Sequence, residues 1–193
     1  MARDARITLR AVEPEDLELL YLWENDRTTW QLSNTLVPFS RYQLKRYIEA
    51  EPGNIHAHQQ LRMMIDFDGR ARPDSGLDPV GGKRPATAEK RTVGSIDLFD
   101  YDPVHQRAGL GILVASPEDR RKGVATEAIL QMTEYCRKTL FLHQLYCNIA
   151  ASNEASALLF RKLGFETTGR KKDWLRTEDG WEDEVLMQMR LGE

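Results

Sequence analysis

The chain has 193 residues, a net charge of −3, 41% hydrophobic and 30% charged residues, which is enough for one domain with a real core and excludes a disordered or fibrous chain. A slightly acidic balance exerts no general pull on nucleic acid, no apolar run reaches membrane-spanning length, and MARDARITLR lacks the apolar core of a signal peptide. The two cysteines, Cys136 and Cys147, read as small buried hydrophobes in a reducing compartment, so the expected location is the cytoplasm, with no nucleic-acid or membrane partner.

ITLRAV (7–12) alternates apolar and polar residues as a first strand does. Pro14, Glu15 and Asp16 open a helix through Leu17, Leu20 and Tyr21, since proline suits a first turn and acids suit its dipole. Ser40 followed by Gln43 is a capping-box pattern for a second helix that stops before Pro52. QQLRMMIDFD (59–68) predicts a strand. Residues 68–90 hold four glycines and three prolines without periodicity and read as a long flexible loop inside a hairpin, because VGSIDLF (93–99) resumes strand character at once.

Strands and helices then alternate. RAGLGILVA (107–115) is a nearly continuous apolar run, as for a strand covered on both faces. Val124, Ala128, Met132 and Tyr135 keep helical spacing, and QLYCNIA (144–150) is the next buried strand. Ser152 or Asn153 caps a short helix that Gly164 ends. The last two strands flank the turn Glu178–Asp179–Gly180, with Trp174 and Trp181 expected in the core. Together these elements predict one α/β domain over residues 1–193.

Arg120, Arg121 and Lys122 stand directly before Gly123 at the start of a helix. Two readings fit: a solvated turn, or an anion cradle in which free N–H groups and the helix dipole face phosphates. Gly123 lets a backbone approach closely, and the basic side chains add charge-assisted contacts. A P-loop is excluded, because the lysine precedes a single glycine. His56 and His58 are spaced to share a strand face but have no third ligand, so no metal site is expected. Trp23 and Trp30 flank the region before the second helix, and no G-x-S-x-G elbow is present.

The run Arg120-x-x-Gly123-x-Ala125 after a strand and before a long helix resembles the acyl-CoA pyrophosphate loop of the GNAT superfamily of N-acetyltransferases. Asn153-Glu154-Ala155-Ser156 with Phe160-Arg161-Lys162-Leu163-Gly164-Phe165 is similar to that superfamily's N-x-x-A…KLGF block. The terminal W…DG-W-x-D pattern resembles the branch of ribosomal-protein N-terminal and spermidine acetyltransferases. The resemblance covers the chain except 68–90, and implies a mixed, mostly antiparallel sheet of about seven strands flanked by about four helices. It also implies acetyl-CoA as co-substrate. Backbone groups of Ile112, Leu113 and Val114 would meet its pantetheine arm, and Arg120, Arg121, Lys122, Gly123, Val124, Ala125 and Thr126 its pyrophosphate. Asn153, Ser156 and Phe160 would line the rest.

Many relatives place a tyrosine where this chain has Phe160, and many in this branch place a glutamate at Gly109. An amine of unperturbed pKa about 10.4 must lose a proton to attack; Asp97 and Asp100, which resemble acidic positions in the corresponding strand of spermidine acetyltransferases, are the candidate proton acceptors, and with Glu24 and Asp26, in the region where the superfamily shapes its acceptor site, the candidate acceptor-binding acids. Three functions stay open: acetylation of a polyamine such as spermidine, acetylation of a protein N-terminus, or acyl-CoA binding without catalysis. The resemblance also admits a homo-oligomer.

Overall fold

The computed structural model describes residues 7–27, 37–50, 54–68 and 90–192. Nearly all of the expected loop at 68–90 lies outside the described residues, as does Trp30.

Among the described residues the sheet has seven strands in the order β1-β2-β3-β4-β5-β7-β6. They are β1 (Ile7–Ala11), β2 (Leu61–Phe67), β3 (Arg91–Asp102), β4 (Arg107–Val114), β5 (Gln144–Ala150), β6 (Glu166–Thr177) and β7 (Gly180–Arg190). Every neighbouring pair is antiparallel except β4 and β5, which run parallel. Five α-helices lie wholly within the described residues: α1 (Leu17–Glu24), α2 (Arg41–Glu49), α3 (Ile55–His58), α4 (Val124–Lys138) and α5 (Glu154–Lys162). The expected mixed, mostly antiparallel α/β sheet is present, and one of the described helices, α3, is a single turn.

Local chemistry explains where the helices begin. Pro14–Asp16 forms a 3-10 turn before α1, and the fully paired Asp16 carboxylate locks that corner by accepting from Arg10 at 2.7 and 2.8 Å and from the Glu13 N–H at 2.9 Å. The capping box at Ser40 and Gln43 forms as expected, each side chain reaching the other residue's N–H. Gly164, just past α5, takes φ +96°, the left-handed conformation that ends helices.

The sheet is covered on both faces. Met64 and Ile65, successive residues of β2, are both fully buried and must point to opposite sides. Met64 packs with Leu20 of α1 and Leu44 of α2. Ile65 joins Ile96, Leu98, Leu110 and Leu145 in the larger cluster beneath α4, whose Val124, Ala128, Ile129, Met132 and Cys136 form one apolar stripe. Both cysteines are free, and burial pushes their thiols up to about 12. No helix among the described residues is long and apolar enough to cross a membrane.

Three expectations are corrected. β4 is buried only in its first half, and from Gly111 to Val114 it is half-exposed, because the sheet parts there. Trp174 and Trp181 are each 58% exposed, not core residues; Lys171 and Arg176 lie over their rings at 4.9 and 5.4 Å. His56 and His58 sit on the single-turn α3, not on a strand. The His56 ring stands edge-on to Tyr101, and His58 Nε2 lies 2.9 Å from the Ala50 carbonyl.

Candidate active site

β4 and β5 pair over only three positions, Arg107 with Gln144, Ala108 with Leu145 and Gly109 with Tyr146. Beyond Gly109, β4 continues along β3 to Val114 and β5 continues along β7 to Ala150, so the two strands part into a wedge. The Ala115 N–H donates to the Val93 carbonyl of β3 at 3.0 Å. Backbone groups alternate sides along a strand, so Leu113 and Gly111 face β3 as well, whereas the N–H and C=O groups of Ile112 and Val114 face the wedge. Of the three residues expected to offer backbone groups there, Leu113 is turned the other way.

The wedge leads into the basic loop. Pro117–Asp119 forms a 3-10 turn, and Arg121 and Gly123 both take positive φ, +62° and +85°. Gly123 is the N-cap of α4, no side chain caps that end, and nothing lies within 4 Å of where a Cβ would project. The first-turn N–H groups of Val124, Ala125 and Thr126 have no intrahelical acceptor, so they and the helix dipole are available to an anion.

The loop is held from beneath by Asp119, which is completely buried. Arg91, the first residue of β3, grips it through both terminal nitrogens, one of them at 2.6 Å, and Lys122 lies 3.4 Å away. These bonds, with Arg91 foremost, hold the Asp119 carboxyl below the usual carboxylate range despite burial. Arg120 Nε donates to the Val114 carbonyl at 3.4 Å. All three basic side chains are exposed, with Arg120 and Lys122 each making one long contact to the protein.

Across the wedge, Asn153 is the N-cap of α5, its side chain accepting from the Ser156 N–H at 3.1 Å. Phe160 is 4% exposed and stands edge-on to Phe165 at 5.0 Å, so its ring serves the core.

The other face of the sheet carries the acids. Arg62 on β2 is paired with Asp97 on β3; its Nε and Nη2 donate to the two Asp97 oxygens at 2.6 and 3.3 Å, and Nη1 to Glu24 at 2.5 Å. Burial opposes a charge on Arg62, but Asp97 and then Glu24 outweigh it and raise the guanidinium pKa. The Tyr47 ring of α2 lies 5.8 Å from the guanidinium. Asp100 goes elsewhere: it accepts from the Tyr146 hydroxyl at 2.9 Å. Asp26 lies beyond the end of α1, exposed. The four candidate acids therefore form one Arg62-centred pair, one tyrosine-bonded aspartate and one outlying residue.

Sequence reasoning missed Arg62, Tyr47, Tyr146, Arg91 and Asp119. The one available signal was Tyr146, a hydroxyl-bearing residue inside an otherwise apolar strand.

These features, a parted parallel strand pair leading to an uncapped helix end, are the geometry that a thioester with a diphosphate tail requires, and a model described as an acetyltransferase (GNAT) domain matches residues 6–166. The chain belongs to the GNAT family and is an acetyl-CoA-dependent acetyltransferase. Among similar proteins, the spermidine N(1)-acetyltransferase of Escherichia coli K12 is 27% identical over 170 residues, spanning 84% of this chain and 74% of that one. The ribosomal protein uS5 alanine N-acetyltransferase of the same organism is 35% identical over 65 residues, about a third of each chain, 34% in both cases. A crystal structure of spermidine N-acetyltransferase from Vibrio cholerae in complex with CoA and spermine matches with a TM-score of 0.78 and 22% identity, covering 97% of both chains; it has the same fold.

Proposed function

We propose that this enzyme acetylates a primary amine of a polyamine such as spermidine, in the cytoplasm. The observation that carries the reading is the set of carboxylates Glu24 and Asp97, which meet at Arg62, with Asp100 further along β3 bonded to Tyr146, because carboxylates attract a polycation. The similarity to spermidine N(1)-acetyltransferase over most of the chain supports it. Ile112 and Val114 offer backbone donors and acceptors to the pantetheine arm, the N–H groups of Gly123 to Thr126 bind the diphosphate, and Arg120, Arg121 and Lys122 add charge. Asn153 and Ser156 border the same wedge.

A second reading has its own support. Arg62 sits between Asp97 and Glu24 and cancels part of their charge, which suits an acceptor with one positive charge, such as a protein N-terminus. The similarity to the uS5 alanine acetyltransferase points the same way.

Thiol release from acetyl-CoA, followed with spermidine, spermine, putrescine and N-terminal peptides, separates the two. Turnover with the polyamines supports the first reading; turnover with peptides alone transfers the enzyme to the second. Absence of release with every amine overturns both.

A further inference from the structure

Asp100 is the residue that the fold works hardest to place. β3 and β4 keep strict register from Gly94 to Phe99 and then slip before Asp102. Within that slip Asp100 adopts φ +49°. Aspartate tolerates the left-handed region better than most residues, yet the conformation is still unfavourable for a residue with a Cβ, and it persists because the surrounding strands impose it. A bulge of this kind re-aims a side chain, and here the carboxylate reaches past β4 to the Tyr146 hydroxyl of β5 at 2.9 Å.

The reach depends on β4 having no side chain in the way. Gly109 stands between Phe99 and Tyr146 in both registers. A Cβ on Gly109 would fall inside the space of the Phe99 ring, and that ring meets Tyr146 edge-on, centroids 5.8 Å apart at 84°. Gly109–Tyr146 is also the last paired position before the wedge opens. The hydroxyl is thus at the mouth of the site, bonded to a carboxylate that is exposed to water.

We propose that Tyr146 takes the proton of the attacking amine and hands its own phenolic proton to Asp100. This rests on the acetyl-transfer reading above. The amine nitrogen bonds to the thioester carbonyl carbon, the C–S bond breaks, and the sulfur leaves as thiolate. The proton on nitrogen moves to Tyr146 Oη as the phenolic proton moves to Asp100 Oδ2. Asp100 then releases it to water and the thiolate takes one from water, so charge and atoms balance.

Asp97 is the poorer acceptor, because Arg62 occupies both its oxygens. Burial, and then the bond to Asp100, push the Tyr146 phenol up to about 12, so it works protonated, as a relay. Arg107 of β4 acts on the phenol in the opposite direction, and β7 places the uncharged Gln188 opposite it.

The test uses Tyr146→Phe, which keeps the ring on Phe99, and Asp100→Asn, whose side chain tolerates positive φ. Each is expected to lower kcat for the best amine about 100-fold, with acetyl-CoA affinity within about twofold of wild type by titration calorimetry, a sign of an intact cofactor site. Because the two groups act as one relay, the double variant should be no slower than the slower single one. Either single variant within about threefold of wild-type kcat, or a double-variant loss equal to the product of the single losses, overturns the relay and leaves the acetyl-transfer reading standing. A wild-type enzyme that releases thiol with no amine overturns that reading, and the relay with it.

Discussion

The two ends of β4 are built from different materials. At its C-terminal end the site is backbone: N–H groups of Ile112 and Val114, then the uncapped turn at Gly123, with Asp119 anchoring Arg91 and Lys122 underneath. At its N-terminal end the site is side chain: Phe99 and Asp100 from β3, Tyr146 from β5, and a glycine that lets them meet. The first kind of site is coded over a few consecutive residues. The second exists only once separate strands are in register.

The largest separation between the two ends should come from Arg62→Gln. Removing the cation that Asp97 and Glu24 share is expected to cost about 3 kcal/mol of folding stability in denaturant titrations. The same change makes the acceptor face more negative, so KM for spermidine should fall while the Kd for acetyl-CoA stays put. A rise in spermidine KM would mean that Arg62 matters by orienting the carboxylates, not by cancelling them.

Gly109→Ala comes next. The new methyl group collides with the Phe99 ring, and such overpacking is expected to cost about 2 kcal/mol. Phe99→Leu in the same chain should recover much of it, because the obstacle is a ring rather than backbone. If the double variant is no more stable than Gly109→Ala, the strain lies in β4 itself.

The difference between the two ends also explains what could be read from the amino acids. The helix caps at Ser40, Asn153 and Gly164 and the α4 stripe are each set by spacing within a few residues, and each forms as anticipated. The exposure of Trp174 and Trp181 is not legible locally, because a hairpin's two faces look alike until β6 is known to be the sheet edge. Asp97 and Asp100, three apart in one strand, read as similar acids. The register slip after Phe99, which no local pattern encodes, sends them to different partners. Arg62 carries no local signal for the same reason: its carboxylates come from α1 and β3, 38 and 35 positions away.

Asp119→Asn probes the backbone end through pH. Arg91, ahead of the opposing burial, holds the Asp119 carboxyl below its ordinary value in the folded protein. A carboxyl lowered on folding contributes stability above its unfolded value of about 3.9 and loses it as pH falls through the folded value. Wild type should therefore exceed the asparagine variant by about 2 kcal/mol at neutral pH, with the gap narrowing below about pH 4. If backbone N–H groups supply most of the phosphate binding, acetyl-CoA affinity at pH 7 should change less than stability does.

The smallest effect expected is at Asn153, where capping and ligand binding can be taken apart chemically. The side-chain oxygen caps α5 by accepting from the Ser156 N–H, while the amide NH2 is the group that could donate to the pantetheine arm. Asn153→Ala removes both and should cost about 1 kcal/mol. Asn153→Asp keeps an oxygen in the capping position and adds a negative charge at a helix N-terminus, which the dipole favours; its stability should match or exceed wild type. If the amide NH2 contacts the co-substrate, Asn153→Asp will still bind acetyl-CoA several-fold more weakly, because a donor has become a charged acceptor. Equal affinity would restrict Asn153 to capping and leave the wedge to the backbone of β4 and α4.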